Sequence, residues 1–112
     1  LALKGAKLVV GPTAADSYYM LPDGKRSSVP YPDVSHILFQ GNAYANNIFF
    51  AYSNRCGREQ RGKDYWHYRG NSIIYGPHGD VMVEAGHQQD TLLIADWRPA
   101  FCGMTHPAPK YY

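Results

Sequence analysis

Cysteines and long apolar runs are scarce in this sequence. Its two cysteines, Cys56 and Cys102, lie far apart and form no paired motif, which argues against a secreted domain held by disulfides and favours a reduced, cytoplasmic protein. No apolar run approaches the roughly 20 residues that cross a bilayer. Residues 1–10 contain two lysines and no small-residue cleavage site. We therefore expect neither a membrane partner nor a signal peptide in this stretch.

Charge is also low. Charged residues make up 18% of the chain and the net charge is +2, whereas nucleic-acid-binding proteins usually concentrate positive charge on one face. The densest basic stretch, residues 55–69, is diluted by Glu59 and Asp64 and is typical of a solvated loop. We therefore expect no nucleic-acid partner.

Apolar and aromatic residues, by contrast, are plentiful. Hydrophobic residues make up 45% of the 112 positions and ten residues are tyrosines, which bury their rings and keep their hydroxyls hydrogen-bonded. This composition predicts a globular chain rather than a disordered one. A chain of this length forms at most one domain, and such a domain buries only about two-thirds of its unfolded surface.

The first part of the chain predicts one short strand and a long loop. The chain opens on what resembles the last turn of a helix, ended by Gly5, and we expect the preceding turns to lie upstream because so short a helix is marginal alone. Residues 7–10 predict a buried strand that Gly11-Pro12 ends. Residues 13–32 predict a loop, and a loop of that length is usually functional or mobile.

The middle of the chain predicts one amphipathic helix. Asp33 is the predicted N-cap, and Asn46-Asn47 marks the predicted end. Apolar or small residues recur at helical spacing and predict one buried face: Val34, Ile37, Leu38, Gly41 and Ala45. The following strand, residues 48–54, is apolar nearly throughout, which is typical of a strand covered on both faces.

The rest of the chain predicts three more strands. They are residues 72–75, 81–84 and 91–96. Residues 56–63 predict a polar connection, the run GPHGD at residues 76–80 predicts a tight turn, and residues 97–112 predict an irregular tail. The order is therefore a partial helix, a strand, a helix and four strands, which indicates an α/β protein.

Some residues could carry chemistry of their own, and each also has a simpler interpretation. Cys56 lies beside Arg55 and near Arg58, a cationic setting that can activate a thiol, but no histidine is close in sequence, so we interpret Cys56 as structural. Cys102 is interpreted as a packing or exposed thiol. Ser72 is not part of a Gly-x-Ser-x-Gly motif, and we expect its hydroxyl to bond nearby backbone.

Acid–base and metal chemistry have little support in the sequence. A general base needs a carboxylate with a raised pKa in an apolar pocket, and the only glutamates are Glu59 and Glu84; Glu84 alternates with valines and is expected to face solvent. The five histidines form no H-x-x-x-H pair. His78 and His87 flank a predicted hairpin and could approach each other, or both could be solvated turn residues. We expect no metal site and no catalytic residue in this chain.

Four segments in series resemble the nitrilase superfamily of carbon–nitrogen hydrolases. They are residues 2–14 (ALKGAKLVVGPTA), 43–57 (AYANNIFFAYSNRCG), 68–72 (YRGNS) and 76–80 (GPHGD). The first resembles the helix, strand and loop that follow the family's catalytic cysteine, and the second resembles its helix-to-strand segment. The last two are similar to its Gly-x-Ser and Pro-x-Gly hairpin. Order and spacing agree from Leu1 to about Asp96, and residues 107–112 resemble the family's tail.

The resemblance implies a fold and a chemistry. The family's fold is a four-layer α-β-β-α sandwich, so residues 1–96 are expected to be its C-terminal portion, a partial hydrolase domain, and residues 97–112 a tail that serves as an oligomerisation arm. The family cleaves amide or carbamoyl carbon–nitrogen bonds, not peptide bonds, through a cysteine thioester, with a glutamate base and a lysine for the oxyanion. All three positions lie upstream of Leu1 in the family's pattern, and no metal or organic cofactor is implied.

The resemblance also implies a substrate and partners. The parent would be an amidase or carbamoylase of a small linear amide or N-carbamoyl compound, and it would form a homo-oligomer or pair with the missing N-terminal half of the same fold. Thr13, in the loop Pro12-Thr13-Ala14, is the implied substrate contact, although it could equally be a simple strand exit. Asn42 and Ala45 stand where the family's amidases usually carry Arg and Glu, which leaves open a non-catalytic binding or assembly module.

Overall fold

A computed structural model describes residues 1–30, 32–87 and 89–102, without the side chains of Val34 and Phe101. One α-helix, α1, spans Val34–Asn46. The strands are β1 (Leu8–Thr13), β2 (Phe49–Asn54), β3 (Cys56–Arg61), β4 (Asp64–Arg69), β5 (Ile73–Tyr75) and β6 (Val81–Glu84). Two 3₁₀ turns lie at Ala2–Lys4 and Pro99–Phe101. Within the described ranges, no helix is both long enough and apolar enough to cross a membrane.

Four of the strands form one mixed sheet in the order β1-β2-β5-β6. β1 and β2 are parallel, with Leu8 opposite Phe49, and the segment between them supplies the long crossover connection that parallel pairing requires. β5 is antiparallel to β2, and β6 is antiparallel to β5. The tight turn predicted at residues 76–80 joins β5 to β6, where the Gly79 N–H donates to the Gly76 carbonyl at 3.0 Å.

Helix α1 packs on one face of this sheet. The core consists of Ala43 from α1, Phe50 and Tyr52 from β2, and Ile73 and Tyr75 from β5. Phe39 stacks on Phe50 with ring centroids 4.4 Å apart. Strand β2 lies between β1 and β5 and turns Phe50 and Tyr52 to this core, while the predicted cover on its other face is limited to the segment around Trp97. A mixed sheet with a helix on one face agrees with the predicted α/β class.

The buried face of α1 differs from the predicted one. The predicted residues are exposed: Ile37 by 69%, Leu38 by 56%, and Gly41 and Ala45 as well. The side chain of Val34 lies outside the described part. The residues that meet the sheet are instead His36, Phe39 and Ala43, at spacing i, i+3 and i+7. Phe39 stacks on Phe50, and the small Ala43 lets the helix approach the sheet closely. These two contacts favour burial of this face over the predicted aliphatic face.

The opposite face of the sheet has little cover. Leu8 and Val10 of β1 alternate with the core-facing Val9 and are exposed, Val10 by 59%. Other residues on this face border a shallow cavity of about 120 Å³: Phe49, Ala51, Ile74 and Met82. Its remaining wall is Ala95, Asp96 and Trp97. The described chain therefore shields one face with a helix and the other only with the segment around Trp97.

The predicted polar connection at residues 56–63 is wrong, because these residues form β3 and the start of a hairpin turn. β3 pairs antiparallel with β4, Cys56 opposite Arg69, as a separate two-stranded sheet. Gly62 has a φ of 64° in the turn. All but one residue of this ribbon are exposed or half-buried, so its backbone ladder forms without the alternating apolar pattern by which strands are recognised.

Strand β1 is longer than predicted. It continues to Thr13 instead of ending at Gly11-Pro12. Pro12 cannot donate a ladder hydrogen bond, but β1 is an edge strand of the described sheet, and edge strands tolerate proline. The extension brings Thr13 opposite Asn54 in register.

The predicted strand at residues 91–96 is wrong. Leu92 and Ile94 are exposed, and the described sheet ends with β6. Alternating apolar residues favour an extended chain, but a strand also needs a neighbouring backbone to bond, and the described residues offer none here. Of the predicted tail, residues 97–102 include a 3₁₀ turn, and residues 103–112 lie outside the described part.

Candidate functional site

Polar side chains converge where β1 and β2 end. Because these strands are parallel, their last residues, Thr13 and Asn54, lie side by side. β5 begins and β6 ends at the same edge of the sheet, since Ile73 pairs with Glu84. Open α/β sheets bind ligands at the carboxyl ends of parallel strands. We call this region the strand-end edge and treat it as the candidate site.

Asn54 lies at the centre of the strand-end edge. The residue is only 9% exposed. Its Oδ1 accepts hydrogen bonds from the Thr13 hydroxyl at 3.0 Å and from the Ala15 N–H at 2.9 Å. Its Nδ2 donates to the Gly70 carbonyl at 2.9 Å. One amide side chain therefore connects β1, the loop after β1 and the turn before β5.

Ser72 links the same strands through its hydroxyl. The Asn54 N–H donates to Ser72 Oγ at 3.0 Å, and Ser72 Oγ donates to the Asn54 carbonyl at 3.3 Å. This confirms the predicted backbone-bonding role. The turn before β5 also requires Gly70, which has a φ of 68° and at which a Cβ would lie 2.5 Å from the His87 carbonyl oxygen.

A polar cavity of about 430 Å³ opens beside Asn54. Its size is within the range of small-molecule sites. Its walls include Ser53, Asn54, Cys56, Ser72, Asp90 and Thr91. Thr13 is half-buried and contacts two of the wall residues, since its Oγ1 donates to Asn54 Oδ1 and lies 3.4 Å from the Ser53 carbonyl oxygen. The cavity and the Asn54 network together can hold a small polar molecule.

Cys56 lines this cavity beside a carboxylate that opposes its ionisation. Its Sγ donates to Asp90 at 3.4 Å. That hydrogen bond, together with burial and the charge of Asp90, raises the pKa of the Cys56 thiol, whereas a nucleophilic thiol needs a lowered pKa. These contacts support the structural interpretation of Cys56. The Cys102 thiol donates to the Lys7 carbonyl at 3.2 Å, a packing contact between the tail and the chain just before β1.

Neither glutamate has the surroundings of a general base. Glu59 accepts from the Tyr68 hydroxyl at 3.1 Å and pairs with Arg55 at 2.8 Å. The Tyr68 hydrogen bond and the Arg55 contact both hold the pKa of Glu59 below its ordinary value, the opposite of what acid–base catalysis near neutral pH requires. Glu84 is exposed, as predicted.

The loop after β1 is fixed to the β3–β4 ribbon by an arginine. Arg26 donates to both carboxylate oxygens of Asp16 at 2.6 Å and to the Tyr65 carbonyl oxygen. Its guanidinium carbon also lies 4.7 Å from the Tyr65 ring centroid. One nitrogen of the guanidinium, Nη2, contacts both oxygens of Asp16, and such charge-assisted hydrogen bonds are stronger than neutral ones. The spacing of Asp16 and Arg26 in the sequence does not predict this pair, because the pair forms only when the loop folds back on itself.

His36 makes a second connection that the sequence interpretation missed. Its Nδ1 lies 2.8 Å from the Tyr75 hydroxyl and its Nε2 lies 2.9 Å from the Asn71 carbonyl oxygen. Because a carbonyl only accepts, Nε2 carries a proton, and in the neutral form of the imidazole Nδ1 therefore accepts from Tyr75. Asp33 occupies the predicted N-cap position but makes no side-chain cap hydrogen bond. Its carboxylate pairs instead with Arg69 at 3.3 Å.

The described residues contain no group of three or more His, Cys, Asp or Glu side chains that could hold a metal ion. His78 lies in the turn before β6, and His87 follows β6. The two histidines that could approach each other are therefore at opposite ends of a strand. His87 Nδ1 lies 3.2 Å from the Arg69 carbonyl oxygen.

Asn42 and Ala45, which depart from the family's usual Arg and Glu, are exposed on α1. The Asn42 amide donates to the Leu38 carbonyl at 2.8 Å, one turn earlier in the same helix. Neither residue belongs to the core cluster that packs on the sheet. Their identities therefore leave the packing of α1 on the sheet unchanged.

Comparisons with known proteins identify relatives of this chain. It is 35% identical over 97 residues to citrullinase of Francisella tularensis, which covers 85% of this chain and 32% of that protein. It is 30% identical over 101 residues to N-carbamoylputrescine amidase of Solanum tuberosum, which covers 87% of this chain and 32% of that protein. The chain spans about a third of the length of the curated relatives that it matches.

A solved structure and a family pattern agree with these relatives. A mutant of the amidase from Nesterenkonia sp. AN1, with the acetamide moiety of fluoroacetamide added covalently at its active-site cysteine, matches with a TM-score of 0.53 and 29% identity. The match covers 78% of this chain and 27% of that one. The pattern of the family described as carbon-nitrogen hydrolase matches residues 1–106. The chain therefore belongs to the carbon–nitrogen hydrolase family, in the nitrilase superfamily.

Proposed function

We propose that this chain is the C-terminal part of an enzyme that hydrolyses a carbon–nitrogen bond, other than a peptide bond, in a small linear amide or N-carbamoyl compound. The observation that carries the proposal is the strand-end edge, where Thr13, Asn54 and Ser72 meet beside a cavity of about 430 Å³. The relatives support the same substrate class, since they are named as an N-carbamoylputrescine amidase and a citrullinase.

The proposed reaction proceeds through a cysteine thioester on residues upstream of Leu1. A thiolate attacks the carbonyl carbon, a lysine offsets the charge on the oxygen, and a glutamate moves protons as the amine leaves and water releases the acyl group. The covalent adduct at the active-site cysteine of the Nesterenkonia amidase supports this route. Cys56 does not fit the role, because Asp90 opposes its ionisation.

The poorly covered face of the sheet supports a further layer. In the proposed four-layer sandwich, a second sheet from the upstream part of the same fold lies on Leu8 and Val10. Apolar area removed from water there stabilises the assembly by about 25 cal/mol per Å². The exposed Ile37 and Leu38 on α1 support a homo-oligomer, and two thiols without a disulfide support a reduced, cytoplasmic setting.

The test is an assay of the complete gene product against short aliphatic amides and N-carbamoyl amines, with ammonia release as the readout. We expect turnover that stops when one upstream cysteine is replaced and that survives the matched replacement Cys56→Ser. A complete product that begins close before Leu1, lacks the upstream Glu, Lys and Cys and hydrolyses none of these compounds would support the binding or assembly module that Asn42 and Ala45 leave open.

A further inference from the structure

We propose that the cavity beside Asn54 binds the amino-acid end of a zwitterionic substrate, with the Arg55 guanidinium recognising its carboxylate and the Asp90 carboxylate recognising its ammonium group. The inference concerns the end of the substrate that does not react. It rests on the proposed function for the reaction at the other end, while the residues that carry it lie within this chain. The substrate class narrows to α-amino acids whose side chain bears an amide or carbamoyl group.

The cavity has one charge of each sign on its walls. Among the described residues that line it, Arg55 and Asp90 are the two with charged side chains, and both are exposed. A neutral amide offers nothing to either charge, whereas an α-amino acid presents a carboxylate and an ammonium group together. Complementary charges give specificity, and a volume of about 430 Å³ has room for a molecule of that size.

Arg55 is held in place beside the cavity. Its backbone N–H donates to the Thr13 carbonyl at 3.1 Å, and its carbonyl accepts from the Gly70 N–H at 2.8 Å. The guanidinium carbon lies 4.4 Å from the centroid of the Tyr68 ring, and Nη1 donates to Glu59 at 2.8 Å. The Tyr68 hydroxyl donates to the same Glu59 oxygen at 3.1 Å. A side chain fixed in this way loses little freedom when a ligand binds.

The contact with Glu59 leaves Arg55 able to bind a carboxylate. In the described part of the chain, the guanidinium donates to Glu59 through one nitrogen, whereas a guanidinium has five N–H donors in a planar fork. That fork matches the two oxygens of a carboxylate. Glu59 also offsets part of the positive charge, so the orientation of the remaining donors contributes more to recognition than the net charge does.

Asp90 supplies the opposite charge. Its Oδ1 accepts from the Cys56 thiol at 3.4 Å, and an ionised carboxylate offers about four acceptor positions. Among the described residues, no lysine, arginine or histidine forms an ion pair with Asp90. Its negative charge is therefore available to a cation, and an ammonium group brings three N–H donors to the remaining acceptor positions.

The test uses four ureas that share one carbon chain and differ in the charges at the end remote from the urea. Citrulline has both charged groups, N-carbamoylputrescine lacks the carboxylate, ureidopentanoate lacks the ammonium group, and butylurea lacks both. For the complete gene product we expect the lowest KM with citrulline, about tenfold below that of each singly charged compound.

Two variants remove the two charges separately. Arg55→Gln should raise KM about tenfold for the two compounds with a carboxylate and leave the other two unchanged. Asp90→Asn should do the same for the two compounds with an ammonium group, and it keeps an acceptor for the Cys56 thiol. In both variants kcat should stay near its wild-type value, because the lost contact binds the ground state and the transition state equally.

Arg58→Gln and Asp64→Asn are the matched controls. Both residues are exposed on the β3–β4 ribbon and neither lines the cavity, so all four KM values should equal those of the wild type. An equal rise for all four compounds in Arg55→Gln would mean that Arg55 acts only through the fold. That result, or unchanged KM values in Asp90→Asn, overturns the proposal.

Failure of the proposal is distinguishable from failure of the proposed function. A wild type that hydrolyses short amides but has equal KM values for citrulline and butylurea overturns the proposal and leaves the proposed function standing. If the wild type hydrolyses none of these compounds, the proposed function fails, and calorimetric titration with norvaline, which has the same amino-acid end without the urea, decides the site. Binding that weakens about tenfold in both Arg55→Gln and Asp90→Asn supports the site. Equal binding in all three proteins, or none, overturns it.

Discussion

The hydroxyl of Tyr75 lies 2.8 Å from Nδ1 of His36, and this contact joins the buried sheet to the first turn of α1. Tyr75 is only 1% exposed. The same imidazole packs edge-on against the Tyr52 ring, with centroids 5.4 Å apart, and reaches the Asn71 carbonyl through Nε2. One histidine therefore holds the helix, two strands and the turn before β5 together.

Removing the Tyr75 hydroxyl should weaken this junction. Tyr75→Phe leaves Nδ1 of a largely buried imidazole without its donor, and we expect a loss of about 1–2 kcal/mol in the free energy of unfolding. Urea unfolding of the complete gene product measures it. Tyr52→Phe is the matched comparison, because it removes the hydroxyl of another buried tyrosine of the sheet and leaves the contact between Tyr75 and His36 in place. Equal losses in both variants would contradict the assigned contact.

Stability should also depend on Tyr75 at high pH. Burial, reinforced by the charges of Asp33 and Glu84, raises the pKa of Tyr75 from 10.0 to about 12. The folded state therefore keeps a proton that the unfolded state loses between those values, so the contribution is complete below pH 10 and is lost as the pH rises towards 12. Two pKa units correspond to about 2–3 kcal/mol.

Urea unfolding at several pH values from 9 to about 12 tests this dependence. The free energy of unfolding should fall more steeply with pH in the wild type than in Tyr75→Phe. Comparing the two proteins removes the contribution of every group that they share. Parallel pH profiles would show that Tyr75 is not the group responsible.

Arg26 should limit the opening of the loop after β1. Arg26→Gln removes the charged contact with Asp16, and we expect a protease to cleave the loop about tenfold faster or more, because about 1.5–3 kcal/mol of charge-assisted hydrogen bonding is lost. Lys25→Gln is the matched control next to it. Lys25 is 81% exposed and 3.9 Å from Asp23, so its loss should leave the cleavage rate unchanged. Similar cleavage rates in the two variants would show that Arg26 does not hold the loop in place.

Alanine substitutions at two glycines should separate the cost of a steric clash from the cost of a positive φ. Gly62 and Gly70 both have positive φ, at 64° and 68°. A Cβ at Gly62 meets nothing within 4 Å, whereas one at Gly70 would lie 2.5 Å from the His87 carbonyl oxygen and 2.9 Å from the Cys56 Cβ. Gly62→Ala should cost about 1–2 kcal/mol for the left-handed backbone alone, and Gly70→Ala clearly more. Thermal unfolding of the two variants checks the order, and equal melting temperatures would contradict the close approach.

The sequence predicted those features whose cause is local. The turn at residues 76–80, the helical stop at Gly5 and the buried strand of residues 48–54 each follow from residues adjacent in the chain. The hydroxyl of Ser72 was also predicted correctly, because short polar side chains bond nearby backbone whatever the wider packing.

The errors arise where a distant partner decides the structure. Residues 91–96 have the composition of a strand but no described backbone to pair with, while the polar β3 became a strand because β4 lies against it. Within the candidate site, the sequence analysis named Thr13 as a site residue but missed Asn54. The side chain of Asn54 bonds groups up to 41 positions away. Hydrophobic periodicity cannot predict such a contact, because it depends only on residues that are close in sequence.

The parallel pairing of β1 with β2 has a consequence for the order of folding. Thr13 and Asn54 are 41 positions apart along the chain, whereas each of the hairpins β3–β4 and β5–β6 pairs residues close in sequence. Closing a longer loop costs more entropy, and hairpins form within about ten microseconds. We expect the hairpins and α1 to form early and β1 to dock last, so that the strand-end edge is assembled only in the final step of folding.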